Sequence, residues 1–574
     1  MRPRSCGALL GNSLLARAGC FAGRRSQGRP EYRGPILIPD SATSSFAFFP
    51  TNGYLLSVDS QLSVLAHPSR QVAESQSHRM NILLVNPATP ETFWSFKHAL
   101  SFISKRATFP PLGLLTVAAM LPPEWNKKLV DMNVQELRDE ELLQADYVFL
   151  TGMSIQESSV RQVLTRCREL KRPVVAGGPL FTARAKEFDD VDHLVLNEAE
   201  ITLPMFLHDL ERGSAQHRYT TKAWADVSTT PAPLWSLVNQ RYYASMNLQY
   251  SRGCPYDCEF CDITVLYGRV PRTKSAAQLL AELDGLYESG WRSDVFLVDD
   301  NFIGNKNKLK KDILPALIGW SEAHRYPFAF STEASVNLSD DEELLQMMRQ
   351  AGFDAVFVGI ESTNEESLVE CKKIPNKGRN LLASVKKIHA HGMRVNGGFI
   401  VGFDSDPASV FARTAEFIQQ SGIITAMVGL LNAPIGTRLY QRLFKEGRIL
   451  TTMSGDNTDW SMNFIPRMNA DTLIAGYRSV LESIYTPKQY YERVRLFLKT
   501  FRPAALRTRR IRLADVTALG KSIVLLGMIG KERVQYWKLF FWTLFTRPRL
   551  FPLAITFSIY GFHFRKVFER HLGG

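Results

Sequence analysis

"SRGCPYDCEFCDITVLYGRVPRTKS" occupies residues 251–275 and places Cys254, Cys258 and Cys261 within eight residues. The other four cysteines, Cys6, Cys20, Cys167 and Cys371, are scattered. Structural zinc normally takes four protein ligands arranged as two spaced pairs. The nearest histidines, His217 and His324, lie far off in sequence. A disulfide would strand one thiol. A four-iron cluster with three irons held by thiolates and the fourth left open fits the count. An odd, low cysteine number also argues against a secreted disulfide framework and for a reducing, cytoplasmic setting.

The triad directly follows an apolar run, "MNLQYS" (246–251). Five more strand candidates come after it: "DVFLVDD" (294–300), "PFAFSTEA" (327–334), "AVFVGIES" (355–362), "RVNGGFIVGF" (394–403) and "AMVGLLNA" (426–433). Helical patterns such as "AAQLLAELDGLYESG" (276–290) and "DDEELLQMMRQAG" (340–352) separate them. Six β/α units across residues 246–450 predict a partial (β/α)6 barrel, with polar strand-end residues facing its open mouth. Upstream, residues 80–210 alternate shorter strands, "NILLVNP" (81–87), "KLVDMN" (128–133), "YVFLTGMS" (147–154), "PVVAGGP" (173–179) and "HLVLNEAE" (193–200), with helices such as "SVRQVLTRCREL" (159–170). That rhythm predicts an α/β, doubly wound parallel sheet, whose ligands would sit beyond the carboxyl ends of the strands. Residues 211–245 read as a connector, and 451–574 as a helical C-terminal region. Its run "LFPLAITFSIYGFHF" (550–564) suits an interfacial helix or a buried core helix, being short for a bilayer span.

The formal charge of +13 is concentrated at the ends. Residues 1–79 hold nine Lys/Arg against four Asp/Glu, and residues 499–574 hold fifteen against three, which leaves about −4 for the middle. A nucleic-acid groove would place basic charge in the body, so nucleic acid is not an expected partner. A basic, aromatic tail suits peripheral contact with an anionic membrane at the inner face. Residues 1–79 read either as a targeting segment or as an N-terminal extension ahead of an original start at Met80, where "MNILLVNP" opens like a first buried strand; the second reading is favoured.

CxxxCxxC with an aromatic residue, Phe260, before the last cysteine, after a first barrel strand, resembles the radical S-adenosylmethionine (SAM) superfamily. The resemblance implies a [4Fe-4S] cluster on Cys254, Cys258 and Cys261 whose open iron is chelated by SAM. SAM would be cleaved to a 5′-deoxyadenosyl radical that takes hydrogen from carbon, with Phe260 against the adenine. By position it implies SAM contacts from Asp299 and Asp300 in "VDDN", which replace the family's common Gly-Gly-Glu, and from Ser331, Glu333, Glu361, Gly397 and Gly398. Ser154 and the pair Gly177-Gly178 resemble the Ser-x-Leu and Gly-Gly positions of cobalamin-binding domains. The DxHxxG motif of those domains is absent: "NPATPETFW" (86–94) has no histidine, and nearby His98 reads as packing or capping.

A cobalamin-type domain followed by a radical SAM barrel is a recognised arrangement, and the resemblance covers about residues 80–500. "VDDNFIGN", "TEAS", "GFD", "EGRI" and "YYERV" look most like the subgroup that includes hopanoid C-2 methylases. It implies methyl transfer to an unactivated carbon of a small-molecule or lipid substrate, with an electron donor such as flavodoxin or ferredoxin. Two alternatives stand beside it: oxidative cyclisation or rearrangement with the same cofactors, and a non-catalytic cobalamin sensor with a structural metal site. The segment "DITVLYGRVPRTKS" (262–275) is expected to run from the cluster towards the upstream domain.

Overall fold

The computed structural model describes residues 79–503 and 513–572, with side chains to Glu569. The basic N-terminal extension and the core of the Arg-rich stretch at 504–512 lie outside the described residues. Fourteen strands are described: β1 Asn81–Asn86, β2 Asn126–Asp131, β3 Tyr147–Thr151, β4 Val174–Gly177, β5 His193–Val195, β6 Arg218–Tyr219, β7 Met246–Leu248, β8 Ser251–Arg252, β9 Arg272–Thr273, β10 Asp294–Leu297, β11 Ala329–Glu333, β12 Phe353–Glu361, β13 Arg394–Val401 and β14 Ala426–Leu430.

The first sheet has the order β2-β1-β3-β4-β5-β6, and every pair is parallel. Its strands read as continuous apolar runs because helices cover both faces. Helix Glu157–Glu169, for example, buries Val160, Val163, Leu164 and Cys167 at three- and four-residue spacing. The order reverses between β1 and β3, and the loop after β3 carries Ser154. Crevices at such reversal points are where open α/β sheets bind ligands.

The second sheet runs β7-β10-β11-β12-β13-β14, again all parallel and in chain order. It curls into an open arc with β7 and β14 as its edges, the expected six-stranded partial barrel. Edge strand β14 is capped by side chains instead of a seventh strand. Helix Ala470–Tyr485 aims two tyrosine hydroxyls at its outward carbonyls, Tyr485 to Ala426 O at 2.6 Å and Tyr477 to Val428 O at 3.0 Å. The antiparallel pair β8–β9 stands outside this sheet. Together with β6 it escaped the sequence reading, since two-residue strands with Arg and Thr carry no apolar run.

The C-terminal region is helical as expected. Helix Phe551–Leu572 decides between the two readings of its apolar run: it is a core helix. Its Phe564 stacks on Phe93 at 4.3 Å, Phe568 on Tyr485 at 5.2 Å, and Phe557 O accepts from the Tyr490 hydroxyl at 2.7 Å. Among the described residues no helix is long and apolar enough to cross a membrane.

Two histidines in this core set an acid limit. Burial pushes His389 down to about 3 and His563 down to about 4, although Phe93 O, 3.0 Å from His563 Nε2, pulls the latter up. Both folded values lie below the unfolded value of ~6.5. The unfolded chain therefore binds more protons in acid, and the stabilisation present above ~6.5 is lost as pH falls towards 4 and below. The unfolding free energy from urea titrations should drop between pH 7.5 and 5, by on the order of a few kcal/mol in all. His389→Leu should flatten that slope.

Candidate active site

The cysteine loop leaves β8 through Gly253, whose φ of 93° is left-handed. A Cβ there would lie 3.0–3.1 Å from the carbonyls of Val270, Gly268 and Tyr267, so the tight entry needs glycine. Cys254 N donates to Gly268 O at 3.3 Å, and Cys261 N to Cys258 O at 3.2 Å. The loop is clamped from the far side. Glu259 N donates to Cys371 O at 2.9 Å, Leu439 N donates to Glu259 O at 3.0 Å, and Arg442 pairs with Glu259 at 2.9 Å.

Cys258 is buried and the other two thiols are half-buried. Burial pushes all three up, while the Lys373 ammonium works to bring each down. Among the described residues no three His, Cys, Asp or Glu side chains converge on a point where one ion could bind. A four-iron cluster asks for something else, three thiolates each on a separate iron and one iron without a protein ligand. Three sheltered thiols facing a cation fit that group.

Lys373, which sequence reading missed, has its Nζ 2.6 Å from Glu361 Oε1. Glu361 ends β12 with a left-handed φ of 62°, where the β12–β13 register slips. Such strain in a non-glycine residue gathers at functional sites. A Cβ on Gly359 would fall 2.2 Å from the Glu361 carboxylate and 2.9 Å from Lys373 Nζ, so the pair fills the space that glycine leaves.

One cavity of about 2310 Å³ joins the two sheets. Cys261, Phe260, Ser331, Glu333, Glu361 and Gly398 line it on the barrel side. Ser154, Ile155 and Pro179 line it at the carboxyl edge of the first sheet. Phe260 also meets Phe403 at 6.2 Å. Burial, reinforced by the Asp300 charge, pushes Glu333 up to about 8, against the pull of Lys373. No histidine is among the first-sheet residues that line the cavity. His98 instead pairs with Glu91 and packs on Phe562 and His563.

The remaining sequence candidates are not among the residues that line the cavity. Asp299 is turned to the backbone, accepting from Tyr250 N at 2.8 Å, Ser251 N at 3.1 Å and Ser251 Oγ at 2.8 Å. Asp300 accepts from Gly253 N at 2.7 Å. Both hold the strand that delivers Cys254 and neither lines the cavity. A strand-end carboxylate looks the same in sequence whichever way it turns. Gly397 packs towards Ile423, and Gly177 and Gly178 allow close approach to Val195 O and Thr151 Oγ1. Asp299→Ala leaves buried donors without an acceptor, each costing about 1–3 kcal/mol. It should lower both the unfolding midpoint and the iron bound per chain, and Asp299→Asn should recover part of each.

Two further features were not read from the sequence. Arg252 of β8 pairs with Glu198 at 3.0 Å and Glu200 at 2.7 Å, and Arg272 of β9 pairs with Glu198 at 2.8 Å. The segment carrying the cysteines is thereby tied to the Glu198–Glu200 stretch that follows β5, and Arg272 belongs to residues 262–275, expected to run towards that domain. The second feature is Gly455, with a φ of 82°. A Cβ on it would lie 2.6 Å from Ile155 N and 2.9 Å from Ser154 Cβ. The same stretch passes β14, where a Cβ on Gly429 would lie 2.2 Å from Asn457 O.

The radical SAM superfamily model matches residues 248–418, and a domain of unknown function, DUF4070, matches residues 437–573. The hopanoid C-2 methylase of Rhodopseudomonas palustris is 32% identical over 478 residues, 81% of this chain and 90% of its own length. The chain belongs to the radical SAM superfamily. An uncharacterized methyltransferase of Synechocystis is 41% identical over 502 residues, covering 86% of this chain and 94% of its own. In fold, the radical SAM chain resembles the cobalamin-dependent S-adenosylmethionine radical enzyme OxsB with aqua-cobalamin bound. The TM-score is 0.57 at 14% identity, over 86% of this chain and 81% of OxsB. It also resembles the radical methyltransferase TsrM from Kitasatospora setae with cobalamin and [4Fe-4S] cluster bound, at a TM-score of 0.52 and 15% identity, over 86% of this chain and all of TsrM. The resemblance drawn from the cysteine motif is borne out, and the chain is a radical SAM enzyme among methyltransferase relatives.

Proposed function

We propose that this enzyme is a cobalamin-dependent radical C-methyltransferase acting on an unactivated carbon of a lipid-like, polycyclic substrate. The observation that carries the reading is the single cavity shared by Cys261 and the Ser154–Pro179 edge of the first sheet. A radical generator and a methyl donor must reach one substrate carbon, and a common cavity between the two sheets allows it. When bound, the cluster with SAM supplies a hydrogen-abstracting radical, and cobalamin supplies the methyl group.

The chain's own residues bind and orient. Cys254, Cys258 and Cys261 would hold the cluster. With Asp299 and Asp300 engaged by backbone and Glu361 paired with Lys373, Glu333 is the predicted carboxyl left at the cavity for the SAM ammonium, and Phe260 offers an apolar face to its adenine. Ser154, Ile155 and Pro179 form a cradle for cobalamin that has no imidazole of its own. Apolar walls such as Phe357, Met427 and Leu430 exclude water from a radical that would otherwise be quenched. The names of the relatives at 30% identity or more favour methyl transfer, and the hopanoid relative favours a polycyclic lipid. The basic, aromatic C-terminal region favours peripheral contact with a membrane, and electrons would come from a flavodoxin or ferredoxin.

The test is anaerobic reconstitution with SAM, cobalamin, reductant and a lipid extract. Methyl transfer requires a product heavier by one methylene, together with S-adenosylhomocysteine and 5′-deoxyadenosine. Deoxyadenosine with an oxidised product and no S-adenosylhomocysteine would replace this reading with cyclisation or rearrangement.

A further inference from the structure

The cavity does not end at the cysteines. Its wall continues to the opposite, N-terminal ends of the barrel strands at Asp294, Phe328 and Arg394. From there it reaches the C-terminal helices Leu513–Ser522 and Phe551–Leu572, at Val516, Leu519 and Ile555. A closed eight-stranded barrel is filled by layers of side chains; this six-stranded arc is hollow along its length. The cavity therefore has a second end, remote from the cluster and walled by the C-terminal helices.

Val516 is the joint between that end and the outside, since it lines the cavity and is 56% exposed. The helical stretch it belongs to carries an apolar surface that nothing among the described residues covers. Leu513 is 83% exposed, Met528 65%, Ile529 71% and Phe545 77%. Exposed Lys531, Arg533, Lys538 and Arg549 stand among these residues. Apolar side chains interleaved with cations are the surface chemistry of an interfacial helix, whereas scattered single exposures would need no partner.

We propose that the helices between Leu513 and Thr546 rest in the headgroup layer of an anionic phospholipid bilayer. The enzyme draws its substrate from that bilayer through the N-terminal end of the barrel, past Val516. The inference rests on the lipid-substrate reading above and adds the direction of entry. Substrate and cofactors then approach from opposite ends: SAM and cobalamin from the side of the cysteine loop, the lipid from below. Charge favours a bilayer over a second copy of this chain. With fifteen Lys/Arg against three Asp/Glu in residues 499–574, a two-fold pairing would set like charge against like, while an anionic surface attracts each of them.

The experiment uses the reconstituted holoenzyme and vesicles of phosphatidylcholine with phosphatidylglycerol that carry the fluorescent sterol dehydroergosterol. Trp94 and Trp291 line the cavity and serve as energy donors to a sterol that enters it. The enzyme should pellet with the vesicles and take up the sterol. Met528→Glu with Ile529→Glu, both at exposed positions, should lower vesicle binding and uptake roughly tenfold. Val516→Glu should still pellet with vesicles while uptake slows by a similar factor. Unchanged uptake from vesicles in either variant overturns the route. So does a lipid-free dimer, seen by sedimentation, that the double variant dissociates, because the face is then a subunit contact. Uptake from detergent micelles that ignores both variants leaves the lipid reading standing and overturns the route alone. No uptake from vesicles or micelles sinks the lipid reading, and the route with it.

Discussion

Replacing Cys258 with alanine is expected to abolish the cluster and, with it, all radical chemistry. The purified variant should lack the broad visible absorption of a [4Fe-4S] centre and contain little iron. It should form 5′-deoxyadenosine at least about a thousandfold more slowly than the parent, because groups that act as a unit fail together. Cys371 provides the internal control. It is buried, its carbonyl accepts from Glu259 N within the cysteine loop, and its thiol lies 3.7 Å from Leu368 O. Proximity alone would make it a fourth ligand. The open-iron arrangement does not need it, so Cys371→Ala should keep its iron and its deoxyadenosine formation. Loss of the cluster in Cys371→Ala, or its retention in Cys258→Ala, would overturn the assignment of the triad.

Arg252→Ala is expected to have the second-largest effect, through a different failure. The guanidinium joins Glu198 and Glu200, whose side chains are only 2% and 7% exposed. Burial works to raise Glu200, but the hydrogen bonds and charge of Arg252 win and hold it below its ordinary value of 4.5. Its contribution is therefore present at neutral pH and fades as pH falls through that lowered value. Without Arg252, Glu200 is left buried with no cation beside it and only a backbone N–H and the Thr230 hydroxyl as hydrogen-bond donors, and removing one partner of such a pair costs about 3–5 kcal/mol. Arg272 still reaches Glu198, so the chain should fold with a lower urea midpoint. The functional signature is uncoupling: deoxyadenosine forms, yet methylated product falls further than deoxyadenosine does, because the cysteine segment and the first sheet no longer keep a fixed spacing. Arg252→Lys should rescue little, since a compact ammonium cannot reproduce the planar guanidinium's simultaneous contacts to Gln249, Glu198 and Glu200. Equal loss of both products would mean the network acts on stability alone.

Much of this was legible in the sequence, for identifiable reasons. All six barrel strands announced themselves through short apolar runs, unbroken in "AMVGL" of β14 and alternating with the cavity-facing Ser331 and Glu333 in "AFSTE" of β11. The cysteine spacing was legible because cluster chemistry fixes residue type and number. Direction was not legible. Asp299 and Asp300 end a strand at the expected place, but which way a carboxylate turns depends on whether backbone donors of a neighbouring strand arrive to meet it. Lys373 follows a short helix in "CKKIPNK" with no motif to flag it, and only the fold brings it to Glu361. The run at 550–564 was ambiguous because an interfacial and a core helix draw on the same apolar residues. Burial of its polar Ser558 and His563 separates the two, and burial is a property of the partners.

The contacts of Gly455 and Gly429 have a consequence for the mutational tolerance of this chain. The stretch between residues 453 and 457 is thin and partly exposed, and in a saturation library most of its positions should accept almost any side chain. Gly455 should not, and neither should Gly429 on the strand it passes. Each faces backbone at a distance that leaves no room for a single methyl group. Selection for methyl transfer should reveal two isolated intolerant columns, one of them inside an otherwise permissive loop, whereas selection for folded protein alone should leave the Gly455 column much fainter.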